Sequence, residues 1–346
     1  MRALRQGQAR EHHDPRGPEL TQNVKASVII PTKNPGGIIK RVLPAALSQQ
    51  AGFSYEVLVI DSGSSDGTIE YLKSIDAENF RYIEIPSAEF GHGKTRNLGA
   101  ELTTGEYIVF LTHDALPAQN TWLTEMVRIA DQDPQIAGVF GRHIAYEGEN
   151  VFVARELDLH FSGFAANPVT WMEDQERYKN DVGYRQFLHF FSDNNSLLRR
   201  SVWQTHKYPD VDFAEDQQWA KTIIENGWRK GYAHDAVVYH SHHYRIIERL
   251  RRSFDESYAF KRYFDYDLCQ NTGKLWRDWK YLTSRDMQYC FGDRVWKRAP
   301  LNCAVQPFDN FARLLGHYLG NHGDSLNPAW RLFLSRDTRL LKGRQK

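Results

Sequence analysis

The feature that most limits the fold is a repeated alternation of short apolar runs with amphipathic stretches. The runs are Ala26–Pro31, Tyr55–Ile60, Arg81–Ile85, Tyr107–Leu111 and Ile136–Gly141. Runs such as Ser27-Val28-Ile29-Ile30 are β-branched and do not alternate with polar residues, so they read as strands covered on both faces. Between them, Ile39, Val42, Leu43, Ala46 and Leu47 recur at helical spacing. Helices are likewise expected through Ile69–Leu72, Gly93–Leu102 and Trp122–Ile129. This order predicts an α/β fold, a mostly parallel sheet flanked by helices. Ligands of such sheets bind beyond the carboxyl ends of the strands. The polar clusters Thr32–Asn34, Asp61–Asp66 and Thr112–Asp114 fall at those ends.

Residues 151–239 are less regular. They contain an aromatic-rich loop (Asn167–Tyr184), a strand (Phe191–Leu198) and a helix opening near Glu215. Trp219, Ala220, Ile223 and Ile224 form that helix's buried stripe, and Asn226-Gly227 ends it. A strand, Tyr232–Tyr239, then runs into His240-Ser241-His242-His243. The rest reads as helices. The expected organisation is a disordered tail (1–24), a catalytic α/β domain (25–244) and a helical C-terminal region (245–346).

Bulk properties exclude some classes. The formal net charge of the 346 residues is +1, so no global field draws the chain onto nucleic acid. The three cysteines, Cys269, Cys290 and Cys303, form no CxxC pair or disulfide framework and read as thiols of a reducing compartment. Met1–Gln22 lacks the apolar core of a signal peptide. No uncharged apolar run reaches the roughly 18 residues that span a bilayer. A cytoplasmic protein is expected, with peripheral contact at the inner membrane face left open. Arg249, Arg251, Arg252, Lys261 and Arg262 interleave with Tyr258, Phe260, Tyr263 and Phe264. That pattern suits an anionic membrane surface or a helical cap with a solvated rim. Leu314, Leu315, Tyr318 and Leu319 read as a membrane-facing stripe or as core.

Five constellations carry candidate chemistry. Asp61-Ser62-Gly63-Ser64-Ser65-Asp66-Gly67-Thr68 offers carboxylates and hydroxyls to a base or ribose, or caps the next helix. Asp114, after His113, is placed to hold Mg2+ or Mn2+, or to cap a helix. Glu215 and Asp216 open a helix whose dipole favours their anionic forms, and one of them is a candidate base. His240 and His242 share a strand face and are candidate metal ligands. Lys94 and Arg96 can pair with a diphosphate or with an acidic loop residue. There is no Walker A motif, and no GxGxxG follows the first strand.

In order, Val-Ile-Ile-Pro-Thr-Lys-Asn (28–34), Val-Ile-Asp-Ser-Gly-Ser-Ser-Asp-Gly-Thr (59–68), Lys-Thr-Arg-Asn-Leu-Gly-Ala (94–100), Phe-Leu-Thr-His-Asp-Ala (110–115) and Glu-Asp-Gln-Gln-Trp (215–219) resemble family 2 glycosyltransferases of the GT-A fold. The resemblance spans about Ala26–Tyr244. Asp-Asn-Asn-Ser-Leu-Leu-Arg-Arg-Ser-Val-Trp (193–203) and Val-Val-Tyr-His-Ser-His-His-Tyr (237–244) are most similar to bacterial rhamnosyltransferases. The resemblance implies a dTDP-β-L-rhamnose donor, inversion, and a saccharide or lipid-linked saccharide acceptor in surface polysaccharide (O-antigen) synthesis. It also implies a divalent cation, Mg2+ or Mn2+. The family's DxD is Thr112-His113-Asp114 here, so one carboxylate is missing and a histidine is expected to help.

On that resemblance Asp216, beside Glu215, is the base; Asp114 holds the metal with His240 or His242. Pro31, Thr32, Lys33, Asn34, Asp61, Ser62, Asp66, Lys94, Arg96, His113 and Asp114 would form the nucleotide-sugar site. Asn195 and Trp219 would lie on the acceptor side. Competing readings are a UDP-hexose donor, a nucleotidyltransferase, a hydrolase, or a non-catalytic nucleotide- or glycan-binding protein.

Overall fold

The computed structural model describes residues 23–336 apart from Asp212. The expected tail, all but its last two residues, lies outside the described residues. The strands are β1 (Ala26–Thr32), β2 (Tyr55–Asp61), β3 (Phe80–Glu84), β4 (Tyr107–Leu111), β5 (Leu116–Pro117), β6 (Ile136–Ile144), β7 (Val169–Thr170), β8 (Asn195–Arg199) and β9 (Arg229–Tyr239). The first helices are α1 (Ile39–Leu47), α2 (Thr68–Lys73), α3 (His92–Glu101), α4 (Trp122–Asp131) and α5 (Val151–Ser162). They are followed by α6 (Gln175–Asn180), α7 (Val182–His189), α8 (Arg200–Thr205) and α9 (Glu215–Glu225). The C-terminal region adds α10 (Ile246–Phe264), α11 (Thr272–Gly292), α12 (Val295–Arg298), α13 (Pro300–Asn321) and α14 (Pro328–Leu334).

One mixed sheet runs in the order β3-β2-β1-β4-β8-β6-β9-β5, with β7 also on β9. The pairs β1–β2, β1–β4, β2–β3 and β6–β9 are parallel; β8 lies antiparallel between β4 and β6. Both faces are covered, as the unalternating strands require. Val28, Ile30, Val57 and Val59 pack on one face with Trp122 and Met126 of α4. Ile29, Leu58, Ile60 and Phe110 pack on the other with Trp219 and Ile223 of α9. The two-residue period of a strand assigns its neighbours to opposite cores.

Residues 167–184, expected as a loop, hold β7, α6 and the start of α7. These helices are short, α6 burying no residue and α7 turning Phe187 and Leu188 inward; Asp174 and Asp181 start them by accepting from Arg177 N and Tyr184 N. α5 was not expected as an element, and the strand expected over Phe191–Leu198 is shifted to Asn195–Arg199.

In the C-terminal region, α10 and α13 cross closely: a side chain at Gly316 would run into the Leu250 carbonyl. Much of the basic–aromatic stretch of α10 is engaged by partners within the chain. Arg249 pairs with Asp309 at 3.2 Å, Arg252 covers the Phe213 ring, and Lys261 pairs with Asp265 and Asp267. Leu314 is buried, with Leu315 and Tyr318 packed beside it. The expectation of three thiols is corrected at two positions. Cys290 and Cys303 are bonded to each other and join the end of α11 to the start of α13, while Cys269 is a buried thiol. Among the described residues, no helix is long and apolar enough to cross a membrane.

Candidate active site

The loops after β1 and β2 are knitted into one platform. Asp61 is fully buried, and its carboxylate accepts from Gly63 N (2.9 Å), Ser64 N (2.8 Å) and the Ser64 hydroxyl (2.5 Å). Asp66 accepts from Gly36 N at 2.7 Å and from the Thr68 hydroxyl at 2.6 Å. Those bonds hold its carboxyl below the usual range, the Thr68 hydroxyl contributing most. Asn34 ties the loops by accepting from Ser65 N and donating its own N–H to Ser64. Lys33 donates to the Ser87 hydroxyl at 3.1 Å. Gly67 sits at φ +86°, a left-handed conformation that glycine adopts without strain, and opens α2. Thr32 and Ser62 are buried beneath the platform beside Pro31. The carboxylates of Asp61 and Asp66 therefore shape the loop, whose exposed rim is its backbone, Ser65 and the Asp66 side chain itself.

The loop after β4 meets the end of β9 at a second cluster. His240 Nε2 lies 3.7 Å and His242 Nε2 3.9 Å from oxygens of Asp114. One ligand atom from each of the three falls within 4.8 Å of the others. Oxygen and imidazole donors at metal–ligand distances of about 2.0–2.2 Å would span such a gap. Burial pushes the His240 imidazole down to about 4, against the pull of Asp114, so it is neutral and has a free lone pair at neutral pH. Burial raises the Asp114 carboxyl, but His240, His113 and His242 outweigh it and hold it low. The donor set, one carboxylate and two imidazoles, thus fits a divalent cation. Tyr146 donates its hydroxyl to the Asp114 carbonyl at 2.8 Å and fixes the loop.

A third cluster is a buried ion network. Arg96 of α3 places Nε 3.1 Å from Asp193 and Nη1 2.8 Å from Glu215. Asp193 also accepts from Tyr208 (2.7 Å) and Ser196 (2.8 Å). Asp216 accepts from Asp193 N at 3.3 Å. One guanidinium thus pairs with two carboxylates, Asp193 and Glu215, and its charge reaches Asp216 beside them. Burial first, then the charges of Glu215 and Asp193, push the Asp216 carboxyl well up; Arg96 opposes them without prevailing. Burial and Glu215 push Asp193 up as well, again against Arg96. A proton-accepting carboxylate with a raised pKa is what general-base catalysis near neutrality needs.

Ala214, just before the acidic pair, sits at φ +56°, in the left-handed region where a Cβ costs about 1–2 kcal/mol. Strain of this kind is found where a site must aim a side chain. Replacing Ala214 with Gly should raise stability by about 0.5–1 kcal/mol in urea melts, since strain relief exceeds the added chain entropy. No change, or a loss, would show that the turn is unstrained.

The structure brings Asp114, His240 and His242 together, and likewise Glu215, Asp216 and Arg96. Of the two partners expected for Arg96 it shows the acidic one, and it corrects the acceptor-side place of Asn195 and Trp219. Arg96 is committed to acidic partners inside the protein, leaving Lys94, exposed on α3, as the cation on that helix facing solvent. Asn195 and Trp219 are core residues. Asn195 accepts from the Trp122 indole at 2.8 Å and donates to the Ala236 carbonyl at 2.9 Å. Trp219 donates to the His206 carbonyl at 2.7 Å and packs on Phe191. Asp193 and Tyr146 had been given no role. The polar Ser-Asp-Asn-Asn (192–195) between apolar Phe191 and Leu197 was the available signal for the first.

Beside the Asp114 loop lies a cavity of about 570 Å³ between the end of β6, α5 and the α11–α12 segment. Tyr146, Glu149, Arg155, Asp158, Tyr289 and Arg298 line it. Its size is that of small-molecule sites, about 300–1,000 Å³.

Residues 27–206 match the family model described as glycosyl transferase family 2. The chain is 31% identical over 308 residues to the O-antigen chain rhamnosyltransferase RfbN of Salmonella typhimurium, covering 88% of this chain and 91% of that protein. It is 28% identical over 305 residues to the O-antigen chain rhamnosyltransferase WbaN of Salmonella anatum, covering 87% and 90%. In fold it is similar to a mannosyltransferase of Pyrobaculum calidifontis solved with GDP-Man and Mn2+ (TM-score 0.57, 17% identity, 90% of each chain). The mixed sheet and its helices are thus of the GT-A kind, with a helical C-terminal extension. The order of the five motifs, the acidic pair on α9 and these matches lead to one conclusion: the chain belongs to glycosyl transferase family 2 and is a glycosyltransferase.

Proposed function

We propose that this enzyme transfers L-rhamnose from dTDP-β-L-rhamnose, with inversion, onto a saccharide held on a membrane lipid, in the assembly of a bacterial surface polysaccharide. The observation that carries the metal-assisted part is the Asp114–His240–His242 cluster, whose ligand atoms fall within 4.8 Å of one another. The rhamnosyl donor rests on two O-antigen rhamnosyltransferase relatives aligned over most of their length. The work is cytoplasmic, with peripheral contact at the membrane.

Asp216 takes the proton of the acceptor hydroxyl as its oxygen attacks the anomeric carbon. The bond from that carbon to the diphosphate breaks on the opposite face, and dTDP leaves with the electron pair. A bound divalent cation would neutralise the leaving diphosphate. Lys94 adds charge on that side. The β1 and β2 loops hold the nucleoside on their backbone and hydroxyl rim, with His113 beside them. The cavity lined by Tyr146, Glu149 and Asp158 takes the acceptor sugar, in place of the buried Asn195 and Trp219. One carboxylate with two imidazoles favours Mn2+ over Mg2+, which prefers oxygen ligands.

Calorimetric titration with dTDP and with UDP, each with and without Mn2+, tests the donor and the metal together. Tight dTDP binding, strengthened by Mn2+ and weakened about 10–100-fold by Asp114→Asn in its Mn2+-dependent part, is the expected result. A preference for UDP would move the donor to a UDP-hexose. Binding indifferent to Mn2+ would remove the metal role from the cluster.

A further inference from the structure

The C-terminal region leaves a group of large apolar side chains in solvent. Phe291 closes α11, Trp296 lies on α12, and Leu301, Val305 and Phe308 form one stripe at helical spacing on α13. Leu301 is 79% exposed, and Phe291 and Phe308 are each 65% exposed. The Cys290–Cys303 bond gathers them: Phe291 follows one bonded cysteine, and Leu301 stands two residues before the other. Contiguous apolar surface of this kind marks a face that something covers.

Charge says what covers it. Arg294, Lys297 and Arg298 are exposed between Phe291 and Leu301, against one exposed acid, Asp293. Lys297 lies over the Trp296 ring, 5.6 Å from its centre. Two copies of such a face would bring like charges together, whereas a surface of anionic headgroups over an apolar layer complements both features. Exposed Trp and Phe with flanking Lys and Arg suit that boundary.

We propose that the end of the helical region where α11, α12 and α13 meet docks on an anionic lipid bilayer. The proposal deepens the peripheral-membrane part of the proposed function and relocates it. Arg249 and Lys261 of α10 are paired within the chain, Arg252 covers Phe213, and Leu314 is core. The docking segment also adjoins, along the chain, residues of the cavity beside Asp114. Tyr289 and Arg298 line that cavity, and Phe291, Trp296 and Lys297 neighbour them in sequence. A bilayer seated here would hold its lipid-linked saccharides at the cavity mouth.

Co-sedimentation with vesicles of equal parts phosphatidylglycerol and phosphatidylcholine, and with phosphatidylcholine alone, tests this. The wild-type protein should sediment with the anionic vesicles and stay in solution with the neutral ones. The pair Phe291→Ser/Leu301→Ser should weaken anionic binding about tenfold or more. The pair Arg294→Glu/Lys297→Glu should abolish it without touching the apolar side chains. Melting curves and dTDP titrations of both variants should match the wild type. Wild-type protein left in the supernatant, or both variants binding like wild type, would overturn the proposal. A dimer by light scattering without vesicle binding would overturn it in favour of a second copy. Vesicle binding by a protein that takes no dTDP would retain the docking face and remove the donor reading instead.

Discussion

Asp216→Asn should lower kcat by about 10²–10⁴-fold while leaving dTDP binding within a factor of two or so. The amide keeps a carbonyl acceptor for one of the two backbone N–H groups, of Asp193 and Gln217, that now bond separate oxygens of this side chain. It loses the ability to take a proton, together with one of those two bonds. Because burial and two neighbouring carboxylates raise Asp216, wild-type activity should climb with pH through a limb above the usual carboxylate range of about 4. The variant's residual rate should lack that limb. Stability should move the other way. A carboxyl whose folded pKa exceeds its unfolded value holds its proton more tightly in the native state, so its stabilisation is complete below the unfolded pKa. It is lost as pH rises towards the folded pKa. The wild type should therefore lose stability over this interval, and Asp216→Asn should lose less. Near-wild-type turnover in the variant would end the assignment of the base.

Arg96→Met should destabilise the protein by about 3–5 kcal/mol at neutral pH, measured by urea melts. It leaves Asp193, Glu215 and Asp216 buried without their shared cation. The loss should shrink in acid, where those carboxyls take up protons. Arg96→Lys should recover part of it, because one ammonium cannot serve two carboxylates in the way a guanidinium fork does. A cation facing a diphosphate in solvent would behave differently, costing about 0.5 kcal/mol or less in stability when removed and weakening nucleotide binding. That second pattern would return Arg96 to the donor side and leave the network unexplained.

These contrasts show where the sequence was legible. The doubly covered strands could be read because Val28, Ile29 and Ile30 are apolar in succession, and only a sheet with helices on both faces hides them all. Asp114, His240, Glu215 and Asp216 could be read because each stands at the end of a strand or the start of a helix, where an α/β sheet assembles its site. Asn195 and Trp219 could not be placed, because a residue that satisfies its polar atoms in the core carries the same letter as one that greets a sugar. Arg96 posed the same difficulty: its choice between diphosphate and carboxylate depends on Asp193 and Glu215, roughly a hundred or more residues away. Short helices such as α6 have no apolar period and rest on a single capping aspartate.

The place of β8 has a consequence for how the chain is made. β1 to β4 can pair as soon as they emerge from the ribosome, for their partners precede or adjoin them. β8, which seals β4 to β6, arrives only with residues 195–199, and Glu215 follows later still. Until then Arg96 has none of its acidic partners, and the nascent half-sheet exposes the edge of β4. Synthesis thus passes through an interval of roughly a hundred residues in which the β1–β4 half of the sheet has formed but is unsealed. Slow translation or chaperone loss in that interval is where misassembly would originate.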